Sequence, residues 1–217
     1  MADYATQRFH MVEAQVRAND VTDTRIQAAM NAVPRERFVP AARRALAYAD
    51  VPVEIAPGRY LSDPRSFAKL LQLAALRPTD HALDVGCATG YSTVVLARIV
   101  KSVIALDQDA DLVRIAADMV PASGAANAIV TQGSLTEGVK VKAPYDVIVI
   151  NGAVDAVPDS LLAQLAEGGR LVAIVNAGGQ GRAHLFVRDK GSIGSRADFD
   201  ASVPPLTGFK KVVGFVF

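Results

Sequence analysis

His81-Ala82-Leu83-Asp84-Val85-Gly86-Cys87-Ala88-Thr89-Gly90-Tyr91-Ser92 begins as a short apolar run and becomes a glycine-punctuated turn. It opens into Thr93-Val94-Val95-Leu96-Ala97-Arg98-Ile99-Val100, a helical pattern. Strand, tight turn and helix in that order form the first βα unit of a nucleotide-binding sheet. The helix start aims free backbone N–H groups and its positive dipole end at whatever lies over the turn. The glycine spacing restricts the ligand. A phosphate-cradling loop needs Lys and Ser or Thr after its second glycine, and Gly90 is followed by Tyr91. The dinucleotide fingerprint needs glycines where this chain has Gly86, Ala88 and Tyr91, so it fails twice. What remains is Asp-x-Gly-x-Ala-x-Gly with a carboxylate, Asp84, at the strand end. A carboxylate there repels a pyrophosphate and attracts an ammonium group.

Ser102-Val103-Ile104-Ala105-Leu106-Asp107 reads as the second strand and ends in another carboxylate. An acidic residue about 20 positions after the turn suits the two hydroxyls of a ribose. Two carboxylates and a glycine turn describe a ligand with an amino group and a nucleoside, and S-adenosylmethionine fits. The stretch resembles the first two motifs of class I S-adenosylmethionine-dependent methyltransferases. By that resemblance the fold expected is α/β: a doubly wound, mostly parallel, seven-stranded Rossmann-like sheet with an N-terminal helical extension. Residues 1–79 are then a helical lead-in with a substrate-loop segment, and residues 80–217 the cofactor-binding core, together one structural unit.

The bulk properties agree with a soluble globular protein. Half of the 217 residues are hydrophobic, enough for a sizeable core, and the formal net charge is +1. No basic block marks a nucleic-acid footprint. No apolar run reaches the roughly 18 residues of a membrane span. The N-terminus lacks a signal-peptide pattern. The single cysteine, Cys87, excludes an intramolecular disulfide and suits a reducing compartment. Together these predict a cytoplasmic protein. His10, His81 and His184 are far apart and fit no metal-ligand spacing, so no metal is expected.

Phe9, Val12 and Val16 fall on one helical face. Ile26, Ala29, Met30 and Val33 predict a second amphipathic helix, capped by Thr22 or Asp23 and stopped by Pro34. Val33–Pro40, bounded by prolines, reads as extended, and Ala41–Ala49 as a short helix. In Gly58-Arg59-Tyr60-Leu61-Ser62-Asp63-Pro64, Gly58 marks a turn, Asp63 is a good N-cap and Pro64 a good first helical residue. Phe67, Leu70, Leu71 and Ala74 then predict a core-facing helix, leaving Ser62 just outside its start. Arg35, Arg37, Arg43 and Arg44, balanced by Glu36 and Asp50, read as a solvated face.

These segments carry a resemblance to the protein-L-isoaspartate O-methyltransferases. Met11–Arg17 looks like that family's opening helix. Val33-Pro34-Arg35-Glu36-Arg37-Phe38-Val39-Pro40 is close to its most recognisable segment, and Leu46–Asp50 is similar to the family's next stretch. Gly58–Pro64 stands in the place of the active-site segment, usually Gly-Gln-Thr-Ile-Ser-Gln-Pro. Ala143–Val149 and Leu165–Val172 also match, and Val203–Gly208 resembles the family's end. The likeness covers about residues 8–176. It implies carboxyl O-methylation of L-isoaspartyl residues in damaged proteins, acting as a monomer or homodimer without nucleic-acid or membrane partners. Ser62 is the implied catalytic residue, and Arg59, Tyr60, Leu61, Asn151 and Gly152 the implied substrate contacts. Asp84, Gly86, Cys87, Ala88, Gly90, Tyr91, Asp107, Gln108, Ser134 and Asn151 are the cofactor-binding candidates. The chain departs from the family where Arg59, Tyr60 and Asp63 replace Gln, Thr and Gln. Ser134 stands where an acidic residue is expected to hold the adenine amino group. A different small-molecule or protein acceptor, or a binding-only regulatory role, is the alternative those departures raise.

Further on, Asp109 or Asp111 caps a predicted helix through Met119, and Ala128–Thr131 is the third strand. Asp146–Asn151, a nearly continuous apolar run, reads as a buried parallel strand, with Asn151 and Gly152 at its ligand-binding end. Pro158 starts a helix through Leu165, ended by Gly168-Gly169, and Arg170–Val175 is the fifth strand. Asn176–Arg182 reads as a turn between strands. His184–Arg188 and Lys211–Phe217 read as closing strands, with Gly191–Ala201 a loop between them.

Overall fold

Asp3 caps the first helix, α1 (Tyr4–Met11), by accepting the Thr6 N–H at 3.0 Å. The chain continues through a wider π-helical turn, Val12–Val16, and a 3-10 turn, Arg17–Asn19, before Asp20 turns left-handed at φ 63°. Val12 and Val16 are buried as their spacing predicts, whereas Phe9 is 54% exposed, two residues from buried Met11 and so on the opposite side of α1. Asp23 caps α2 (Thr24–Ala32), and Val33 leaves helical geometry ahead of Pro34. Arg35–Phe38 is a 3-10 turn rather than extended chain, closed by the Arg37 N–H on the Pro34 carbonyl at 3.0 Å. The short helix expected after it is also 3-10, over Ala41–Leu46. The computed structural model describes residues 3–177 and 179–209.

Next in the chain is a hairpin that single-sequence patterning misses: β1 (Val53–Ala56) pairs antiparallel with β2 (Arg59–Leu61). Its loop is Pro57-Gly58, with Gly58 at φ 69°, which suits proline followed by a left-handed residue in a type II turn. Asp63 then caps α3 (Pro64–Leu73), accepting the Ser66 N–H at 2.7 Å.

The central sheet is built from β3 (His81–Val85), β4 (Ser102–Asp107), β5 (Ala128–Gln132), β6 (Tyr145–Val154), β7 (Leu165–Ala177), β8 (Gln180–Asp189) and β9 (Ser192–Asp200). Helices α4 (Tyr91–Ala97), α5 (Ala110–Ala122, capped by Asp109) and α6 (Asp159–Leu162) connect them. The seven strands lie in the order β5-β4-β3-β6-β7-β8-β9. Strands β5 to β7 run parallel, and β8 and β9 close the sheet antiparallel. This is the doubly wound, mostly parallel sheet expected. Two boundaries differ. The helix from Pro158 stops at Leu162 and β7 already begins at Leu165. The expected loop at Gly191–Ala201 is largely β9, an exposed polar strand. The closing strand read at Lys211–Phe217 lies outside the described residues.

Side chains alternate across the sheet. Ala82, Val103, Val147 and Val149 face one apolar cluster, which also takes in Met11, Ile26, Phe38 and Leu71 of the lead-in. Leu83, Val85, Ile104, Leu106, Ile148 and Ile150 face a second, with Leu135, Leu161 and Leu206. Below the sheet, buried Arg170 forks onto Asp80 at 2.6 Å and bonds the Ala74, Ala75 and Asp146 carbonyls. It ties the end of α3 to the starts of β3 and β6. Among the described residues, no helix is long and apolar enough to cross a membrane.

Candidate active site

Strand order reverses between β3 and β6, and open α/β sheets bind ligands beyond their carboxyl ends at such a point. The turn after β3 sits there. Gly86, Ala88 and Gly90 all have positive φ, at 76°, 54° and 96°. A Cβ on Gly90 would meet Val120 Cγ2 at 2.6 Å, so the turn packs directly on α5. The Gly86 and Cys87 N–H groups donate to the Leu106 carbonyl at 2.8 and 3.1 Å, which fastens the turn to β4.

Asp84 is fully buried under this turn. Its Oδ2 accepts from Ser92 Oγ at 2.8 Å and Thr93 Oγ1 at 2.6 Å, both in the first turn of α4. Its Oδ1 accepts from Asn151 Nδ2 at 2.6 Å. The carboxylate predicted to attract an ammonium group is therefore satisfied by the chain's own donors and braces the glycine turn. Burial raises its pKa, and those hydrogen bonds work against the rise. Asn151 reaches it because β6 bulges. Its register to β7 passes from Val149↔Val172 to Ala153↔Ile174, and such bulges re-aim side chains at strand ends. Gly152 has φ 141°, and a Cβ there would lie 2.9 Å from Leu206 Cβ.

At the tip of β4, Asp107 is 0% exposed. Arg59 Nη1 donates to its Oδ1 at 2.7 Å and Nη2 to its Oδ2 at 2.6 Å. The Asp109 N–H adds a bond to Oδ1 at 3.1 Å and the Ala88 N–H one to Oδ2 at 2.8 Å. Arg59, expected among the substrate contacts, is 5% exposed and lies on the carboxylate expected to hold ribose. Burial acts against the guanidinium charge, and the pairing with Asp107 outweighs it, so the Arg59 pKa is raised.

Ser62, Tyr60, Leu61 and Asn151 line one small cavity with Gly86, Cys87, Ala88, Tyr91 and Ser92. The predicted acceptor segment and the glycine turn thus meet. The cavity measures about 10 Å³, no more than a single water requires. Arg35, expected on a solvated face, is instead 0% exposed in its wall. Its Nη2 holds the Ser62 carbonyl at 2.5 Å, its Nε holds the Ala47 carbonyl at 2.7 Å, and its guanidinium lies 4.8 Å from the Tyr91 ring centre. Tyr91 packs against Phe38 and Phe67. Thr89 Oγ1 donates to the Phe38 carbonyl at 2.7 Å, a second tie from the turn to the lead-in. Tyr60 also lines an outer cleft of about 900 Å³ with Pro52, Gly58, Pro204, Pro205 and Leu206. Gln108 and Ser134 are both exposed beside the β4 and β5 ends, and Ser134 Oγ lies 3.1 Å from Thr136 Oγ1.

A parallel sheet reversing at β3 and β6, with a glycine turn and carboxylates at its strand ends, defines a Rossmann-like methyltransferase fold. The chain belongs to the protein-L-isoaspartate(D-aspartate) O-methyltransferase family, whose model matches residues 6–210. A protein-L-isoaspartate O-methyltransferase of Koribacter versatilis is 36% identical over 82% of this chain and 80% of its own length. One of Methylorubrum extorquens is 38% identical over 94% of this chain and 90% of its own. A Plasmodium falciparum protein solved with S-adenosyl-L-homocysteine shares the fold, at TM-score 0.80 and 22% identity over 92% of this chain and 98% of its own.

Proposed function

We propose that this chain transfers a methyl group from S-adenosylmethionine to the free carboxylate of L-isoaspartyl residues in proteins, a repair reaction. The observation that carries the reading is the meeting of Ser62 with the Gly86–Ala88 turn in one cavity at the sheet's ligand edge. The residue types suit the cofactor: a carboxylate at the β4 tip for ribose and a turn whose left-handed residues let backbone approach closely. When bound, the cofactor supplies an electrophilic methyl group. The rest falls to the chain.

A carboxylate acceptor is already ionised near pH 7, since free carboxyl groups titrate at about 4. Its oxygen forms the new bond to the methyl carbon as the carbon–sulfur bond breaks, and the bond electrons leave with sulfur. No proton moves, so no general base is required. The chain's task is alignment and exclusion of water. Ser62 Oγ is the donor for the acceptor carboxylate, and Arg35 fixes it by holding the Ser62 carbonyl. The cleft beside Tyr60, lined by prolines and Leu206, suits the neutral backbone of a peptide flanking that residue. The single cysteine supports a reducing, cytoplasmic setting.

Arg59, Tyr60 and Asp63 favour a second reading in which the same chemistry serves another acceptor. Tritiated-methyl transfer to an isoaspartyl peptide and to its normal aspartyl counterpart separates them. Repair predicts labelling of the first alone. Labelling of neither, by protein that binds S-adenosylhomocysteine, overturns isoaspartate as acceptor.

A further inference from the structure

The Asp107 carboxylate has no capacity left. A carboxylate offers about four acceptor sites, and each of its oxygens here accepts from two N–H groups. Two of those four donors come from the forked guanidinium of Arg59. A ribose would present two hydroxyl donors to the same oxygens, with similar divergence. The geometry points to Arg59 as an internal stand-in for the cofactor ribose, which an S-adenosyl ligand must displace from Asp107 before it can bind. This inference rests on the cofactor reading above.

Three further observations support it. The ion pair is almost wholly out of solvent, with side-chain exposures of 6% and 0%, so water does not weaken it as it weakens surface pairs. Asp107 is 0% exposed beneath the Arg59 guanidinium, so a ribose reaches that carboxylate only if Arg59 moves. Arg59 sits at the loop end of the β1–β2 hairpin, whose inward residues Val53, Ile55 and Leu61 are seated in the core. It comes after a two-residue loop with exposed Pro57 and Gly58, and a Cβ on Gly58 would meet nothing within 4 Å. That loop end can lift without breaking the central sheet, because β1 and β2 form a separate two-stranded sheet.

Displacement links the two substrates. Tyr60 and Leu61 are on the same strand as Arg59, and Ser62 is the next residue along. Release of Arg59 therefore shifts the acceptor segment, and cofactor entry precedes formation of the acceptor site. A protein whose competent state is a minor fraction binds its ligand more weakly by that fraction. The wild-type chain accordingly binds S-adenosyl ligands more weakly than its site residues allow.

Isothermal titration of the full chain with S-adenosylhomocysteine tests this, comparing wild type with Arg59→Gln. Glutamine can still donate one bond to Asp107 but cannot match the fork. The expected result is roughly tenfold or greater tightening in the variant. Hydrogen exchange on the wild-type protein gives a second measurement that does not depend on the variant folding. The ligand should deprotect the amides of residues 58–61 while protecting those of residues 86–90. Equal or weaker binding by folded Arg59→Gln, or increased protection at 58–61, overturns the displacement. If both proteins are folded and neither binds, the cofactor reading falls and the displacement falls with it. If wild type binds and the variant binds no better, the cofactor reading stands and the displacement alone is lost.

Discussion

Asn151 and Asp84 stand on adjacent parallel strands, and the 2.6 Å bond between them joins the carboxyl ends of β6 and β3. Neither residue type nor spacing announces that bond, since 67 positions separate the two. It exists because the β6 bulge swings Asn151 toward β3. Asn151→Ala leaves Oδ1 of a fully buried carboxylate without its side-chain donor. The expected loss is about 1–3 kcal/mol, read as a lower urea midpoint with an unchanged slope. A variant as stable as wild type would show that Asp84 does not depend on the bond.

Asp84 also gives a pH signature. Burial raises its folded pKa above the ordinary 3.8. The folded state therefore holds the proton more tightly than the unfolded chain. The group's contribution to stability is greatest below 3.8 and declines as pH rises through the raised folded value. In Asp84→Asn that titration is gone. Urea melts from about pH 4 to about pH 7 should show wild-type stability falling relative to the variant. A constant difference would mean the folded pKa is not raised.

Ser62→Ala tests the acceptor side. Loss of one hydrogen bond to a charged group is worth about 1.5–3 kcal/mol, or roughly ten- to a hundredfold in rate. Methylation of an isoaspartyl peptide should drop by that factor, while binding of S-adenosylhomocysteine changes little. An unaltered rate would remove Ser62 from the reaction.

Asp80→Ala strips the buried Arg170 guanidinium of its only carboxylate among the described residues. Breaking a buried pair from one side costs about 3–5 kcal/mol because a charge is left uncompensated. Denaturant unfolding should show that loss, and Asp80→Ala combined with Arg170→Met should recover part of it.

The glycines should separate by surroundings. Gly90→Ala places a Cβ 2.6 Å from Val120 Cγ2 at φ 96°, whereas Gly58→Ala at φ 69° meets open space. Both incur left-handed strain of about 1 kcal/mol, and only Gly90→Ala adds a clash against α5. Thermal melts should place Gly90→Ala well below Gly58→Ala. Equal melting temperatures would mean the turn relaxes away from α5.

The parts of the fold legible in sequence are those with dense local signals. The apolar run opening at His81 begins β3, and the run 102–107 forms β4 with those bounds, ending on Asp107. Asp63-Pro64 marks the start of α3 because cap and first-turn chemistry are local. The family likeness is legible in the Val33–Pro40 segment, although its conformation is not. A 3-10 turn needs only one i→i+3 bond, which flanking prolines do not forbid. Leu161, Leu162 and Leu165 fit a helix and a strand equally, and pairing beside β6 decides for strand from Leu165. Strand β9 escapes because its residues are nearly all exposed, and its alternation of Ile193, Ala197 and Phe199 is broken by Ser195 and diluted by glycine and charge. The Arg59–Asp107 pair escapes because it spans 48 positions and links a short hairpin to a strand tip. Residue types in the site can be read from sequence. Which of them satisfy one another cannot.

Cys87 is the chain's single cysteine, 1% exposed in the turn whose next residue, Ala88, also donates to Asp107. Burial raises its thiol pKa, so the closed protein holds it as an unreactive thiol. It shares the small cavity with Tyr60 and Ser62, so lifting the hairpin uncovers it. When reclosing outpaces alkylation, the labelling rate is the open fraction multiplied by the rate for a free thiol. One added reagent mass per chain then acts as a gauge. The unmodified sequence carries its own measure of the fraction of time the site stands open, readable by mass spectrometry without an introduced probe.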